Sequence, residues 1–169
     1  PGGDAEGFVP KAQIGDPYAR AAAHAQNNAI VIDPAETNQW FTGWTDEAWR
    51  APQPQDVVVY ETHVRHLTQH PSSGVPENLR GTYAGFGAKA VVDYIKSVGI
   101  TSVELLPVHT FVNDSYLEDK GLSNYWGYNT IGFFAPDLRY AADVANSLRE
   151  FKEMVARYHA AGLEIILDV

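Results

Sequence analysis

Three short apolar runs, VVVYETHV at Val57–Val64, SVELL at Ser102–Leu106 and LEIILDV at Leu163–Val169, alternate with amphipathic stretches. That order leaves few ways to fold. The first run is β-branched and nearly continuous at its start, the pattern of a strand covered on both faces, and it implies a parallel sheet. From Gly87 to Val98 the period becomes helical, with Ala90, Val91, Tyr94, Ile95 and Val98 on one stripe and Gly99 placed to end it in a left-handed conformation. Ser147 and Glu150 fit a capping box ahead of a second helix, whose Leu148, Phe151, Met154, Val155 and Tyr158 share a face and which Gly162 closes. Strand, helix, strand, long connection, helix, strand makes two successive crossover units. The doubly wound sheet and the eight-stranded barrel both use them, and a barrel takes about 250 residues. With 169 residues ending inside a third strand, the chain is expected to be a piece of something longer.

The long connection holds GLSNYWGYNTIGFFAPDLRY, Gly121–Tyr140, which is crowded with aromatic residues yet periodic as neither helix nor strand. Tyr125 and Trp126 are adjacent, as are Phe133 and Phe134, and glycines and Pro136 interrupt any regular element. A long ordered loop is expected, because a ring-rich composition argues against disorder. Two readings compete. Aromatic faces flanked by the amides of Asn124 and Asn129 suit a hydroxyl-covered ligand such as a sugar, whose C–H face stacks on rings. Composition by itself favours a hydrophobic plug, since buried aromatics ordinarily serve the core.

A net charge of −9, from 21 acidic against 12 basic residues, disfavours nucleic acid and anionic membrane as partners. No apolar run approaches the roughly 18 residues of a membrane span. The absence of cysteine excludes disulfides and thiolate zinc sites and fits a reducing compartment, though secreted enzymes lacking cysteine leave secretion open. The start, PGGDAEGF, carries no secretory pattern and no initial methionine, which points to sequence upstream. Residues 1–56 read as an irregular lead-in pinned by Trp40, Trp44 and Trp49, and residues 57–169 as the crossover units.

The aromatic loop follows the second strand and Asp168 ends the third, so both fall on the carboxyl-end face of the sheet, where both architectures carry their sites. An acid emerging there from an apolar strand is a functional candidate; the alternative is that it holds a neighbouring loop by accepting backbone N–H bonds. Glu61 and His63 share a face of the first strand and could pair inside a barrel, a buried, satisfied polar pair being favoured over a catalytic one. His63, His66 and His70 resemble a metal cluster in composition, but residues 63 and 66 point to opposite faces if the strand continues, so no metal is assigned. Gly81, Gly85 and Gly87 lack the spacing and the Gly-Lys-Ser/Thr end of a phosphate loop, and no cofactor is assigned.

VVYETHV, LRGTYAGFG, GITSVELLPVH, GLSNYWGYNTIGFFAP, EFKEMV and HAAGLEIILDV, in this order, resemble the opening of the catalytic barrel in the α-amylase superfamily of glycoside hydrolases. The likeness runs from Val57 to Val169, and within the superfamily it is narrower to isoamylase and the bacterial glycogen debranching enzymes. VIDP at Val31–Pro34 is similar to that family's lead-in. The fold implied is α/β, a partial (β/α)8 TIM barrel made of its first three parallel strands with their helices, after the irregular lead-in. The resemblance implies that Tyr128 of the WGY motif stacks on the sugar next to the scissile bond, with Trp126 and Asn124 beside it in the substrate-binding set. It therefore raises the ligand reading above the plug. Asp168 matches the first residue of the family's third-strand motif, a structural position of the active site.

The activity implied is retaining hydrolysis of α-1,6 branch linkages in an α-glucan (glycogen, limit dextrin or amylopectin), in the cytoplasm, by an acid and a carboxylate nucleophile. The family carries its nucleophile and acids on the fourth, fifth and seventh strands, so no catalytic residue is assigned within these 169 residues. The alternatives are a pullulanase, a transglycosylating relative, or a non-catalytic carbohydrate-binding barrel. Oligomeric state is left open.

Overall fold

The computed structural model describes residues 16–22, 29–40 and 50–169. Among the described residues five strands, β1 (Val59–Thr62), β2 (Ser102–Leu105), β3 (His109–Phe111), β4 (Thr130–Pro136) and β5 (Glu164–Leu167), are interleaved with six α-helices and several 3-10 turns. The helices are α1 (Pro34–Thr37), α2 (Val64–Leu67), α3 (Tyr83–Phe86), α4 (Lys89–Ser97), α5 (Ser115–Glu118) and α6 (Ser147–Ala160). β1, β2 and β5 form one parallel sheet in that order, with Tyr60, Val103 and Ile165 in one row and Glu61, Glu104 and Ile166 in the next. Because side chains alternate along a strand, the first row faces the helices and the second faces away from them. Val103 and Leu105 are fully buried under α4 and α6, among Val91, Ile95, Met154, Tyr158 and Leu163.

The helices stop where glycine permits it. Gly99 and Gly162 sit at φ +83° and +80° with nothing near the position of a Cβ, so their role is conformational freedom. Gly85 and Gly87 serve packing instead. A Cβ on Gly85 would lie 2.0 Å from the Leu79 carbonyl oxygen, and one on Gly87 would lie 3.1 Å from Met154 Cα, so α6 presses directly on the end of α3. Phe86 and Tyr158 stack there at 5.4 Å, and the Tyr158 hydroxyl donates to the Phe86 carbonyl.

Several expectations are corrected. The first strand spans Val59–Thr62 rather than Val57–Val64, because His63 begins a helical turn and its ring caps α2. Its apolar start is not covered on both faces, for Val57, Val58, Val59 and Tyr60 are all more than a third exposed. The α4 stripe is out of phase: Val91, Val92 and Ile95 are buried, while Tyr94 and Val98 point to solvent at 60% and 54% exposure. Ser147 makes no capping box. Glu150 reaches back to the N–H groups of Ala142 and Asp143, fastening the turn ahead of α6. The aromatic stretch is not all loop, since β4 runs through its second half and pairs antiparallel with β3 across two register shifts. α6 does bury the expected face, with Met154 and Tyr158 in the core and Phe151 and Val155 against it.

In the lead-in, Ala22 and Ala29 form an isolated bridge, α1 is a single turn capped by Asp33, and Trp40 is half-buried. Trp44 and Trp49 lie outside the described residues.

Candidate active-site face

One loop touches the chain just past all three parallel strands. It is the tip of the β3–β4 hairpin, Asn124–Asn129, and its contacts fix where it sits. Beyond β1, His63 Nε2 lies 2.9 Å from the Tyr125 carbonyl oxygen and its ring stacks on Tyr125 at 4.5 Å. Beyond β2, Pro107 and Phe111 lie within 3.1 Å of where a Cβ on Gly127 would be, and Gly127 has φ +86°; no other residue fits this turn without strain. Beyond β5, Asp168 accepts a short hydrogen bond from the Tyr128 hydroxyl. The aromatic tip therefore lies over the carboxyl end of the sheet.

Asn124 organises this tip. Its Oδ1 accepts the Gly127 N–H at 3.0 Å, its Nδ2 donates to Val112, and its own N–H goes to Asn113 Oδ1. Both amide atoms are thus engaged within the turn. The result leaves Tyr125, Trp126 and Tyr128 at 40%, 58% and 52% exposure, so none of these rings plugs the core. Trp126 stands edge-on to Tyr125 at 5.3 Å and 87°. Asn129 donates to Asp114, and the backbone of Val112 to Asn129, closing the tip.

The base of the hairpin is held by charge. Asp137, 2% exposed, accepts from the Phe111 N–H and from Arg139, whose guanidinium also donates to the Phe111 carbonyl and lies 3.5 Å above the Phe111 ring. The buried Tyr83 hydroxyl donates to the Asp137 carbonyl, tying the base to α3.

Tyr128 is held as a donor. Its hydrogen bond to Asp168, with smaller contributions from desolvation and from the charges of Asp168, Glu61 and Glu104, pushes its pKa up to about 12. Glu61 and Glu104 stand opposite each other in the sheet register, and their charges add slightly to the effect of Asp168 on this hydroxyl. Asp168 Oδ1 accepts the Val169 N–H, so the acid does take a backbone bond, but the loop it holds is held through Tyr128.

The possible pairing of Glu61 with His63 is not made, because His63 turns into the α2 cap and meets Tyr125 and Tyr140. His66 Nδ1 contacts the Tyr125 hydroxyl and His70 contacts Ser72, so the three histidines are spent separately. No group of metal-ligating side chains occurs among the described residues. Nor is any helix among them long and apolar enough to cross a membrane. Glu104 and the Asp137–Arg139 pair join this face without having been marked as site residues by the sequence, and Tyr125, one ring of the aromatic stretch, takes a holding role that its neighbours in sequence do not signal. The lone charge in SVELL is the available signal for Glu104, and nothing local marks Asp137 with Arg139.

A shallow open cleft of about 30 Å³ lies between α2 and the tip, lined by His63, Arg65, Tyr125 and Tyr140 among others. That is below the roughly 300–1,000 Å³ of ordinary small-molecule sites.

No family model matches the chain. It is 47% identical over 145 residues to the glycogen operon protein GlgX homolog of Mycobacterium tuberculosis, a match covering 83% of this chain and 19% of that protein. With the glycogen debranching enzyme of Klebsiella pneumoniae it shares 47% identity over 127 residues, covering 72% of this chain and 19% of the enzyme. Among solved structures it resembles pullulanase from an Anoxybacillus species complexed with maltotetraose, with TM-score 0.73 and 29% identity over 92% of this chain and 23% of that one. Pullulanase from Paenibacillus barengoltzii in complex with maltohexaose and α-cyclodextrin aligns with TM-score 0.71 and 29% identity, over 92% of this chain and 26% of that one. The chain spans about a fifth of the length of the curated relatives it matches.

Proposed function

The chain is a relative of the glycogen debranching enzymes of the α-amylase family, and from that kinship we propose that it is the opening portion of a debranching glycoside hydrolase. In this reading residues 57–169 are the first three strands of a (β/α)8 barrel and residues 1–56 lead into it. The sequential parallel order β1–β2–β5 supports it, since a barrel lays its strands down in chain order.

The substrate is an α-glucan, namely glycogen, its limit dextrin or amylopectin, cleaved at α-1,6 branch linkages with retention by two carboxylates outside these 169 residues. This chain's own part is to hold the sugar. The observation that carries the proposal is the exposed Tyr128 ring, anchored by Asp168 over the carboxyl end of the sheet. A ring in that position presents an apolar face to the C–H face of a glucose unit, and Trp126 extends the platform. Asn124 contributes by keeping Gly127 in its turn. Asp168 fixes the Tyr128 ring and, with Glu61 and Glu104, makes the surrounding field negative. We place the activity in the cytoplasm, in keeping with a chain without cysteine and a glycogen-type substrate; secretion is the alternative.

The test is to express the enzyme that carries this chain and treat a phosphorylase limit dextrin with it. Release of short linear α-1,4 oligosaccharides from the branches, with no attack on unbranched amylose, supports debranching. Cleavage of pullulan in preference to glycogen would move the assignment to the pullulanase type, and glucan binding without cleavage to a non-catalytic barrel.

A further inference from the structure

Just past β1, His63 makes two close bonds whose directions are coupled, while the Tyr140 hydroxyl stands farther off, 3.4 Å from the same Nε2 that faces Tyr125. Its Nδ1 accepts the Arg65 backbone N–H at 3.0 Å, capping α2. A neutral imidazole has one donor and one acceptor nitrogen, so Nε2 carries the proton and donates to the Tyr125 carbonyl at 2.9 Å. The ring is 5% exposed, stacked on Tyr125 and edge-on to Tyr140. His66, also on α2, holds the Tyr125 hydroxyl at 2.9 Å. Tyr125 is thus gripped at both ends from α2, and Trp126 follows it directly.

We propose that His63, kept neutral in the Nε2–H tautomer, is a positioning residue that fixes the ring-bearing tip over the strand ends and so sets how a glucan lies for cleavage. The idea rests on the debranching reading for its kinetic consequence and on geometry alone for its structural one. Protonating Nδ1 would turn a hydrogen into the Arg65 N–H and remove the cap. The groups facing the ring are Arg65 and His66 from α2, Tyr125 from the tip and Tyr140 beyond β4, and none of them is an anion that would stabilise an imidazolium. Burial, with smaller contributions from the charges of Arg65 and His66, accordingly holds the His63 pKa below its ordinary value, opposed only by the bond to Tyr125.

Two measurements test it. Long-range ¹H–¹⁵N spectra of the enzyme that carries this chain, labelled selectively at histidine and tryptophan, should show His63 as the Nε2–H tautomer at pH 7, and the Trp126 indole N–H signal should move toward its unstructured position in His63→Asn. Asparagine can still accept from Arg65 but is too short to reach Tyr125, so the α2 cap survives while the tip is released. An Nδ1–H tautomer, or an unchanged Trp126 signal, would overturn the proposal. In the debranching enzyme, His63→Asn should lower kcat/KM by about tenfold or more per folded molecule with KM raised, since misplacing substrate by about 1 Å costs roughly 100-fold. His63→Gln, whose amide reaches the Tyr125 carbonyl, should recover part of the loss. Equal kinetics in His63→Asn and wild type would also refute it. A wild-type enzyme that cleaves no branches defeats the debranching reading, and the Trp126 signal then still decides whether His63 sets the tip.

Discussion

Replacing Asp137 by alanine tests how the hairpin is held beneath its rings. The carboxylate is 2% exposed and accepts at one oxygen from the Arg139 N–H (2.9 Å) and Nε (2.8 Å), and at the other from Arg139 Nη2 (2.7 Å) and the Phe111 N–H (3.2 Å). Truncation strands a guanidinium and a buried backbone N–H together. Breaking a buried ion pair by removing one partner costs about 3–5 kcal/mol. Here the lower end applies, because the Arg139 side chain is 29% exposed and keeps the Phe111 carbonyl and Asn113 as acceptors. A loss of about 3 kcal/mol is a large share of the 5–15 kcal/mol typical of a whole domain. At about 2–4 °C per kcal/mol for a chain of this size, melting should fall by roughly 6–12 °C. Arg139→Met in the same background removes the stranded charge, so the double variant should melt above Asp137→Ala alone. Thermal and urea unfolding of the four proteins completes the cycle. A loss below about 1 kcal/mol for Asp137→Ala, or strictly additive losses, would refute the idea that this pair secures the hairpin.

Tyr128→Ala should leave the melting temperature nearly unchanged, because a ring 52% exposed vacates no cavity, while glucan affinity measured by calorimetry falls by about fivefold, the worth of roughly 1 kcal/mol of aromatic contact. Tyr128→Phe keeps the ring and loses only the bond to Asp168, so its affinity should lie between the two. Gly85→Ala drives a methyl into the Leu79 carbonyl and should destabilise by about 1–3 kcal/mol through overpacking, whereas Gly162→Ala meets no atom and should lose only about 1–2 kcal/mol for its left-handed backbone, both read from urea midpoints. His63 and His109 both have pKa values lowered mainly by burial, so the unfolded chain binds more protons below the ordinary value. Their contribution to stability is therefore full above pH of about 6.5 and is lost as pH falls from there through the lowered folded values, and the drop between pH 7 and 5 should shrink in His63→Asn.

The parallel sheet was legible because SVELL and EIIL are apolar runs bounded by Gly99, Pro107 and Gly162, where local and global preferences agree. The first strand was overdrawn because Val57 and Val58 look like a strand interior, and because a histidine cap gives no warning of a helix start. Lys89, Asp93, Lys96 and Ser97 share the polar face of α4, but the apolar arc opposite, from Ala90 through Tyr94 and Val98 to Val92, is wider than the face the helix buries, so its sequence does not say that Val92 and not Tyr94 is buried. β4 hid behind Gly132, Pro136 and two adjacent phenylalanines, and its register shifts against β3 erase the alternation a strand should show. Tyr128 and Asp168 were named through family likeness; that one holds the other across 40 residues is a tertiary fact with no local signature.

The hairpin also differs from the sheet in how far its partners are separated along the chain. Thr110 bonds to Ala135 over 25 residues, whereas Val58, just ahead of β1, meets Thr101 over 43 and Ser102 meets Glu164 over 62. Loop-closure entropy rises with separation, and a local antiparallel pair closes ahead of non-local parallel ones. The ring-bearing tip should therefore acquire its shape early in folding, with the sheet assembling beneath a ready-made cover. Pulse-labelled hydrogen exchange would register this as protection of the Phe111 and Val112 amides before that of Asp168, whose N–H closes on Leu105 only when the last strand docks.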